Sequence, residues 1–217
     1  MRISLKIWLR LRREPWRRAA YTAYRQWKRD KMEAKRYNFD QLGPDSIVFD
    51  VGGFEGNWAQ DIFDRYGSTV HVFEPHPTFA AALQDRFKNQ PKIIVHDFAL
   101  GSENGTLHLS DDGDASSAVN DVAGAVSGQV KSVSAFMANF ESSSIDLIKI
   151  NIEGGEYDLL PALATSDDLK RFGIVQVQFH QFKESDGALR DSVRENLASS
   201  HREAWCYPFV WEEWHRS

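Results

Sequence analysis

Two stretches of the chain combine acidic residues with glycine in a way that suits the binding of a charged nucleoside. The first is DVGGFEG, residues 50–56, where an aspartate precedes a turn with three glycines. Its spacing departs from the G-x-G-x-x-G pattern of dinucleotide folds, because Phe54 occupies the place of the glycine that lets a pyrophosphate approach. Glu55 adds a negative charge to the turn. The turn therefore disfavours a pyrophosphate and tolerates a ligand with a cationic end.

Acidic residues also follow the next two apolar runs. Glu74 stands where a carboxylate can accept both hydroxyl groups of a ribose. In VHDFALG, residues 95–101, Asp97 can accept from an adenine amino group, with Phe98 near the ring. These features predict S-adenosylmethionine as the cofactor, with S-adenosylhomocysteine as its product. The predicted cofactor contacts are Asp50, Gly52, Gly53, Phe54, Gly56, Asn57, Glu74, Pro75, Asp97, Phe98 and Ala99.

In this interpretation Asp50 orients the glycine turn or reaches the cofactor ammonium through water, while Gly52 and Gly56 let the backbone approach the ligand. A carboxylate at Glu74 would serve NAD equally well. An NAD-dependent Rossmann oxidoreductase therefore remains an alternative, as does a non-catalytic membrane-associated adaptor.

Four residues near the ends of two later apolar runs are candidates for catalysis. Transfer of the cofactor's methyl group needs the acceptor atom held in line and a group that accepts its proton. We expect His180 or Glu153 to take the proton, with Lys149 and Asn151 fixing the acceptor. Other interpretations stay open: Glu153 as a charge at a helix N-terminus, His180 as a structural histidine, and Lys149 paired with Glu153, Asp50 or another carboxylate.

Strand-like and helix-like runs alternate along the chain after residue 45. This order predicts an α/β fold: a doubly wound, mostly parallel sheet with helices on both faces. A loop at 111–128 lacks periodicity, and Pro208 predicts that the aromatic tail, with Trp205, Tyr207, Phe209 and Trp211 on one face, is an edge strand. Strands are predicted at 46–51, 70–74, 92–96, 106–109, 129–134, 145–152 and 174–180, and helices at 57–66, 77–87, 156–164 and 189–199.

Charge is distributed very unevenly along the 217 residues. The net charge is −5, but residues 1–36 form a basic segment with thirteen Lys or Arg and three acidic residues. We expect a basic amphipathic helical arm at 1–40 and a catalytic domain at 41–217. The aromatic stripe of the arm, which includes Trp16 and Trp27, either packs on the domain or lies on an anionic membrane. The acidic remainder argues against a nucleic-acid partner.

The cysteine content and the first residues bear on the compartment. Cys206 is the single cysteine, so no internal disulfide forms and a reducing compartment is favoured. The first residues lack the pattern of a secretory signal, because Lys6 and Arg10 interrupt the apolar region. We expect a cytoplasmic protein, with peripheral contact of the arm at the inner face of a membrane or with a biosynthetic partner as the further possibility.

Four segments together resemble the FkbM family of methyltransferases: DVGGFEG (50–56), VFEPHP (72–77), DFALGSENGTLHL (97–109) and IDLIKINIEGGEYDLL (145–160). The resemblance implies a class I methyltransferase, Rossmann-like fold and methyl transfer to a hydroxyl, often of a sugar or a glycosylated or polyketide product. It implies cofactor contacts at Asp50, Gly52, Glu74 and Asp97. Asn151 stands where the family usually has Asp, so we do not expect an obligatory divalent metal.

Overall fold

A computed structural model of the chain describes residues 10–109 and 126–217. Ser116 and Ser117 of the loop predicted at 111–128, and the first nine residues of the arm, lie outside these ranges. The helices are α1 (Arg18–Arg29), α2 (Met32–Lys35), α3 (Asn57–Tyr66), α4 (Pro77–Phe87), α5 (Val133–Ala138), α6 (Glu156–Thr165) and α7 (Asp186–Ala198). The strands are β1 (Ile47–Val51), β2 (Thr69–Phe73), β3 (Ile93–His96), β4 (Phe98–Gly101), β5 (Gly105–Leu109), β6 (Val126–Ser132), β7 (Ile145–Ile150), β8 (Phe172–Val177), β9 (His201–Tyr207) and β10 (Trp211–Arg216).

The main sheet has seven strands in the order β3-β2-β1-β7-β8-β10-β9. The strands from β3 to β8 in this order are parallel, and β10 pairs antiparallel with β8 and β9. The strand order reverses between β1 and β7, which is the switch point where α/β sheets bind ligands. The predicted doubly wound, mostly parallel fold is confirmed.

Each face of the sheet carries its own hydrophobic core. Alternate residues of β1 point to opposite sides, so Phe49 packs in one core and Val48 in the other. Helices α5, α6 and α7 cover the first core, whereas α3 and α4 cover the second. Local signals support the helix ends: Gly56 and Gly67, both with positive φ, flank α3, and Pro77 begins α4.

A three-stranded sheet in the order β4-β6-β5 follows β3 and stands beside the main sheet. The predicted strands at 106–109 and 129–134 correspond to β5 and β6, although β6 begins and ends earlier than expected. We did not predict β4 as a separate strand.

Three predictions about strands are wrong. The strands predicted at 145–152 and 174–180 end at Ile150 and Val177, so Asn151, Glu153 and His180 lie in the loops that follow. The tail is a hairpin rather than one edge strand, because Pro208 lies in the turn between β9 and β10. Phe209, in that turn, packs against the first core and not with Trp205 and Trp211.

The described part of the arm packs on the hairpin. Trp27 is 1% exposed and its ring centroid lies 5.8 Å from that of Trp205 and 5.3 Å from that of Tyr207. The Tyr207 hydroxyl donates a hydrogen bond of 2.9 Å to Asp30 at the end of α1. Packing of the stripe on its own domain is thus observed for Ala23 and Trp27, the buried residues of α1. Within residues 10–109 and 126–217, no helix has the length and apolarity needed to span a membrane.

Candidate active site

A cavity of about 310 Å³ opens at the carboxyl ends of the parallel strands, beside the switch point. Its walls come from the ends of β1 and β2, from the small sheet and from the loop after β7. The lining is mainly apolar, which suits the faces of a nucleoside. Of the predicted cofactor contacts, Gly52, Pro75 and Ala99 line this cavity.

The glycines of the first turn lie where other segments of the protein pack closely against the backbone. Gly52 has φ +88°, and a Cβ there would lie 2.1 Å from the carbonyl oxygen of Asn151. A Cβ at Gly56 would lie 2.6 Å from Leu83 in α4. The turn can therefore lie this close to the end of β7 and to α4 only because these residues are glycines. We had expected the glycines to let the backbone approach a ligand.

Backbone N–H groups of the same turn are largely engaged within the protein. Those of Gly52 and Gly53 both donate to the carbonyl oxygen of Phe73, at 3.0 and 3.2 Å. The N–H group of Phe54, a residue with φ +48°, donates to Glu74 at 2.8 Å. Helix α3 begins at Asn57, directly after this turn. The N–H groups of its first turn have no acceptor within the helix. An anionic ligand group at this turn would meet the N-terminus of α3.

Glu74 is buried at 4% exposure and is held by the backbone. One carboxylate oxygen accepts from Phe54 and the other from His76, at 2.8 and 2.9 Å. Burial raises the pKa of Glu74, and these two N–H donors oppose the shift. Each oxygen keeps a second lone pair, and the next residue, Pro75, lines the cavity.

Asp97 and Phe98 diverge in the structure. Asp97 lines a second cavity of about 370 Å³, and Pro75 lines both cavities. Phe98 begins β4 and turns into the first core, where its ring centroid is 5.9 Å from that of Phe73 and 6.0 Å from that of Phe136. The prediction that the Phe98 ring lies near an adenine is therefore wrong, and its neighbour Ala99 reaches the cavity instead.

His180 lies between two carboxylates from the loop after β7 and the start of α6. Its Nδ1 is 3.1 Å from an oxygen of Glu156, and its Nε2 is 3.4 Å from an oxygen of Glu153. The His180 N–H also donates to Glu156 at 2.7 Å, and its carbonyl accepts from the Tyr157 hydroxyl at 2.6 Å. The structure thus brings together the two predicted proton acceptors and adds Glu156, whose carboxylate is fully buried.

The electrostatics of this cluster favour a charged imidazole. Burial alone would lower the pKa of His180, but the hydrogen bonds and charges of Glu153 and Glu156 raise it to about 9. The hydrogen bond from His180 lowers the pKa of Glu153. At neutral pH the pair is therefore an imidazolium beside a carboxylate. Glu153 also has φ +50°, a left-handed conformation that is uncommon outside glycine and that is often found at functional sites.

Lys149 lies under the glycine turn and not at the acceptor side. Its ammonium donates to Asp50 and to the carbonyl oxygen of Gly52, both at 2.8 Å, and the residue is 5% exposed. The prediction that Lys149 fixes the acceptor is wrong, because its ammonium is engaged inside the protein. Its alternative pairing with Asp50 is confirmed.

Asp50 is fully buried, so it does not reach a ligand ammonium from this position. Burial raises the pKa of Asp50, and the charge of Lys149 opposes the shift. Asp50 instead orients the turn, since Lys149 links it to Gly52. Asn151 lies at the end of β7, where its N–H donates to Val51 at 3.0 Å. Its side-chain oxygen is buried without a hydrogen bond to any described residue.

Two acidic residues of the site were not assigned a role from the sequence. Glu156 orients His180, and Asp158 lines the first cavity while its carboxylate accepts from the Ser102 N–H at 2.7 Å. Both belong to the GGEYDLL segment that carries the family resemblance. The available signal was a pair of acidic residues in the first turn of α6, which by itself also fits simple stabilisation of the helix dipole.

Comparison with known families distinguishes between the cofactors that Glu74 could serve. The model of the methyltransferase FkbM domain matches residues 50–203, more than half of the chain. The chain belongs to this family. Membership implies S-adenosylmethionine as the cofactor and disfavours the NAD alternative.

Solved structures of methyltransferases share the fold. Methyltransferase FkbM from Methylobacillus flagellatus KT is 14% identical, with a TM-score of 0.55, over 82% of this chain and 44% of that chain. The N-methyltransferase NodS from Bradyrhizobium japonicum WM9 is 12% identical, with a TM-score of 0.50, over 88% of this chain and 97% of that chain. The chain thus spans less than half the length of the FkbM structure. No curated protein matches the chain significantly.

Proposed function

We propose that the chain is an S-adenosylmethionine-dependent O-methyltransferase that acts on a hydroxyl group of a sugar, in a glycan, a polysaccharide or a glycosylated product. The observation that carries the proposal is the position of the Glu153–His180–Glu156 cluster. Ile152 and Gly155 line the apolar cavity, and Glu153 and Glu156 stand beside them in the chain. A cofactor cavity and a proton-accepting cluster therefore share one loop.

The residues around the cavity fit S-adenosylmethionine. Glu74 would accept the ribose hydroxyls, and Pro75 and Ala99 would contact the nucleoside. The N-terminus of α3 would attract the carboxylate of the amino-acid part. When bound, the cofactor supplies a methyl group activated by a sulfonium. The Lys149 link between Asp50 and Gly52 holds the turn on which this site depends.

Proton acceptance is assigned to the Glu153 carboxylate, because His180 is already protonated at neutral pH, with its pKa raised to about 9. Glu156 holds Nδ1 of the imidazole, and Nε2 faces Glu153. The Glu153 side chain is 31% exposed, so an acceptor hydroxyl can reach its carboxylate. A positioned base of this kind contributes about 10²–10⁴-fold to a rate.

The sugar acceptor is proposed from the segments that resemble the family, because FkbM methyltransferases often act on sugars or glycosylated products. A cytoplasmic location fits the single cysteine. The basic residues on the exposed side of α1 offer the surface for peripheral contact with an anionic membrane or a biosynthetic partner.

Calorimetry and single-residue variants test the proposal. Purified protein should bind S-adenosylhomocysteine and should not bind NAD. His180→Ala and Glu153→Gln should each lower methyl transfer by about 10²-fold or more while leaving the affinity for S-adenosylhomocysteine unchanged. Tight NAD binding without S-adenosylhomocysteine binding would overturn the cofactor assignment, and full turnover in both variants would overturn the catalytic one.

A further inference from the structure

A separate cavity of about 300 Å³ lies between the basic arm and the chain that follows β8. The arm contributes Arg10, Arg17 and Tyr21 to its lining, and the other wall includes Gln178 and His180. The cavity is therefore assembled from two segments far apart in the sequence. It reaches the proposed catalytic histidine from the side of the arm.

The charged residues in the lining are all basic. Arg10, Arg17 and His180 line the cavity, and no acidic side chain does so among residues 10–109 and 126–217. Glu14 contacts both arginines, so one carboxylate serves two guanidinium groups. The carboxylates beside His180, Glu153 and Glu156, lie outside the lining. The open face of the cavity is thus suited to an anion.

The rest of the lining suits a ring with hydroxyl groups. Phe179, Phe209 and the Tyr21 ring give apolar and aromatic walls, on which the face of a sugar ring can pack. Gln178 and Gln181 add amide groups that can both donate and accept. The side-chain oxygen of Gln181 is buried and accepts no hydrogen bond from the described part of the chain.

Arg17 is held in place before any ligand arrives. Its guanidinium contacts Glu14 and donates two long bonds, of 3.3 and 3.4 Å, to the carbonyl oxygens of Gln181 and Phe182. These contacts join the arm to the segment that carries His180. Long bonds to carbonyl groups are weaker than a short, charge-assisted bond to an anion, so a phosphate or carboxylate can compete for the same donors.

We propose that this cavity binds the acceptor through an anionic group, a phosphate or a carboxylate carried on a hydroxylated ring, and that Arg17 and Arg10 of the arm recognise that group. The inference rests on the proposed methyltransferase function, because the ring hydroxyl to be methylated must lie beside His180. It gives the arm a role in acceptor selection. The acceptor class is then a sugar phosphate or a uronic acid.

Binding of three small sugars to the full chain tests the proposal. The probes are α-D-glucose 1-phosphate, D-glucuronate and the neutral methyl α-D-glucoside, each titrated in the presence of S-adenosylhomocysteine. The variants are Arg17→Gln and the more exposed Arg10→Gln. The matched control is Arg29→Gln, which removes the same charge from an α1 side chain that is 76% exposed and outside the cavity. The thermal unfolding midpoint of each variant reports whether its fold is intact.

We expect at least one charged sugar to bind about tenfold more tightly than the neutral one, and Arg17→Gln to remove about tenfold of that affinity. Arg10→Gln should weaken binding as well, and Arg29→Gln should change it by less than about twofold. Preference for the phosphate or for the carboxylate identifies which anionic group the cavity takes.

Equal binding of charged and neutral sugars would overturn the inference, as would equal losses in Arg17→Gln and Arg29→Gln. Absence of binding by both charged sugars in protein that binds S-adenosylhomocysteine would overturn it too. Failure of the proposed function gives a different result. If charged sugars bind in a way that depends on Arg17 but S-adenosylhomocysteine does not bind, the anion site is supported and the cofactor assignment is refuted.

Discussion

Replacement of Lys149 by methionine tests how the glycine turn is held. Lys149→Met keeps the length of the side chain and removes the ammonium that joins Asp50 to the carbonyl oxygen of Gly52. Asp50 would then be a fully buried carboxylate without its cation. Its pKa, which burial already raises, would rise further, and the group would take up a proton as the less costly state.

The expected loss of stability is large. Removing one partner of a buried ion pair costs about 3–5 kcal/mol, because the remaining charge is left unpaired. In a domain of this size each kcal/mol corresponds to about 2–4 °C in Tm, so Tm should fall by about 6–20 °C. The affinity for S-adenosylhomocysteine should fall as well, because the Gly52 carbonyl loses the donor that fixes the turn.

Thermal and urea unfolding measure this change, and a surface pair provides the control. Lys170 and Asp167 lie 2.6 Å apart, with 59% and 71% of their side chains exposed. Lys170→Met breaks a salt bridge of the same two residue types and should cost only about 0–1 kcal/mol. Adding Asp50→Asn to Lys149→Met removes the unpaired charge and should recover part of the loss, with a coupling energy of about 0.5–3 kcal/mol.

Two results would refute the reasoning. The first is a loss in Lys149→Met no larger than that in Lys170→Met. The second is strict additivity in the cycle with Asp50→Asn, which would mean that the two groups stabilise the fold independently.

Three further perturbations have definite expected outcomes. Gly52→Ala should destabilise the protein by several kcal/mol in urea unfolding, since its Cβ would lie 2.1 Å from a carbonyl oxygen at φ +88°; Gly43→Ala, with nothing within 4 Å, should be near neutral. The pKa of His180 is raised from 6.5 to about 9, so its stabilising charge is fully present below pH 6.5 and is lost as the pH rises through about 9. The urea midpoint should fall over that range in the wild-type protein but not in His180→Gln. Trp27→Ala should cost about 3–5 kcal/mol and expose the arm to limited proteolysis, whereas Tyr24→Ala, 49% exposed, should change stability by no more than about 0.5 kcal/mol.

The sequence predicted which helices and strands form, but it predicted the residues at which they end less well. Apolar periodicity and turn residues located the helices and strands of the main sheet. Two strands were predicted too long because Ile152 and Phe179 continue to pack against the core beyond the last strand residues. An apolar side chain shows burial, but not whether its backbone still belongs to a sheet. The tail hairpin was missed because alternating aromatic residues on both sides of Pro208 resemble one strand.

Acidic residues at strand ends could be found from the sequence, but not the partners of their side chains. The contact of Asp50 with Lys149 depends on the register of β1 against β7, and these two strands lie almost a hundred residues apart. The Phe98 prediction was wrong for a related reason. A strand of a second sheet begins at that residue, and its first side chain is directed into the core rather than towards the ligand side.

The same register places a row of buried polar residues between the arm and the cofactor site. Asp50, Lys149, Gln176 and Glu213 occupy neighbouring positions on β1, β7, β8 and β10, and all four are buried. The Gln176 amide donates to Glu213 at 3.0 Å and to the carbonyl oxygen of Arg36, the residue after α2, at 2.9 Å. Buried polar groups are costly unless they are paired, so the row depends on the arm to cover and satisfy one end while Lys149 satisfies the other. Displacing the arm would hydrate this row and loosen the glycine turn, which predicts that arm variants such as Trp27→Ala weaken S-adenosylhomocysteine binding although Trp27 touches no part of the cofactor cavity.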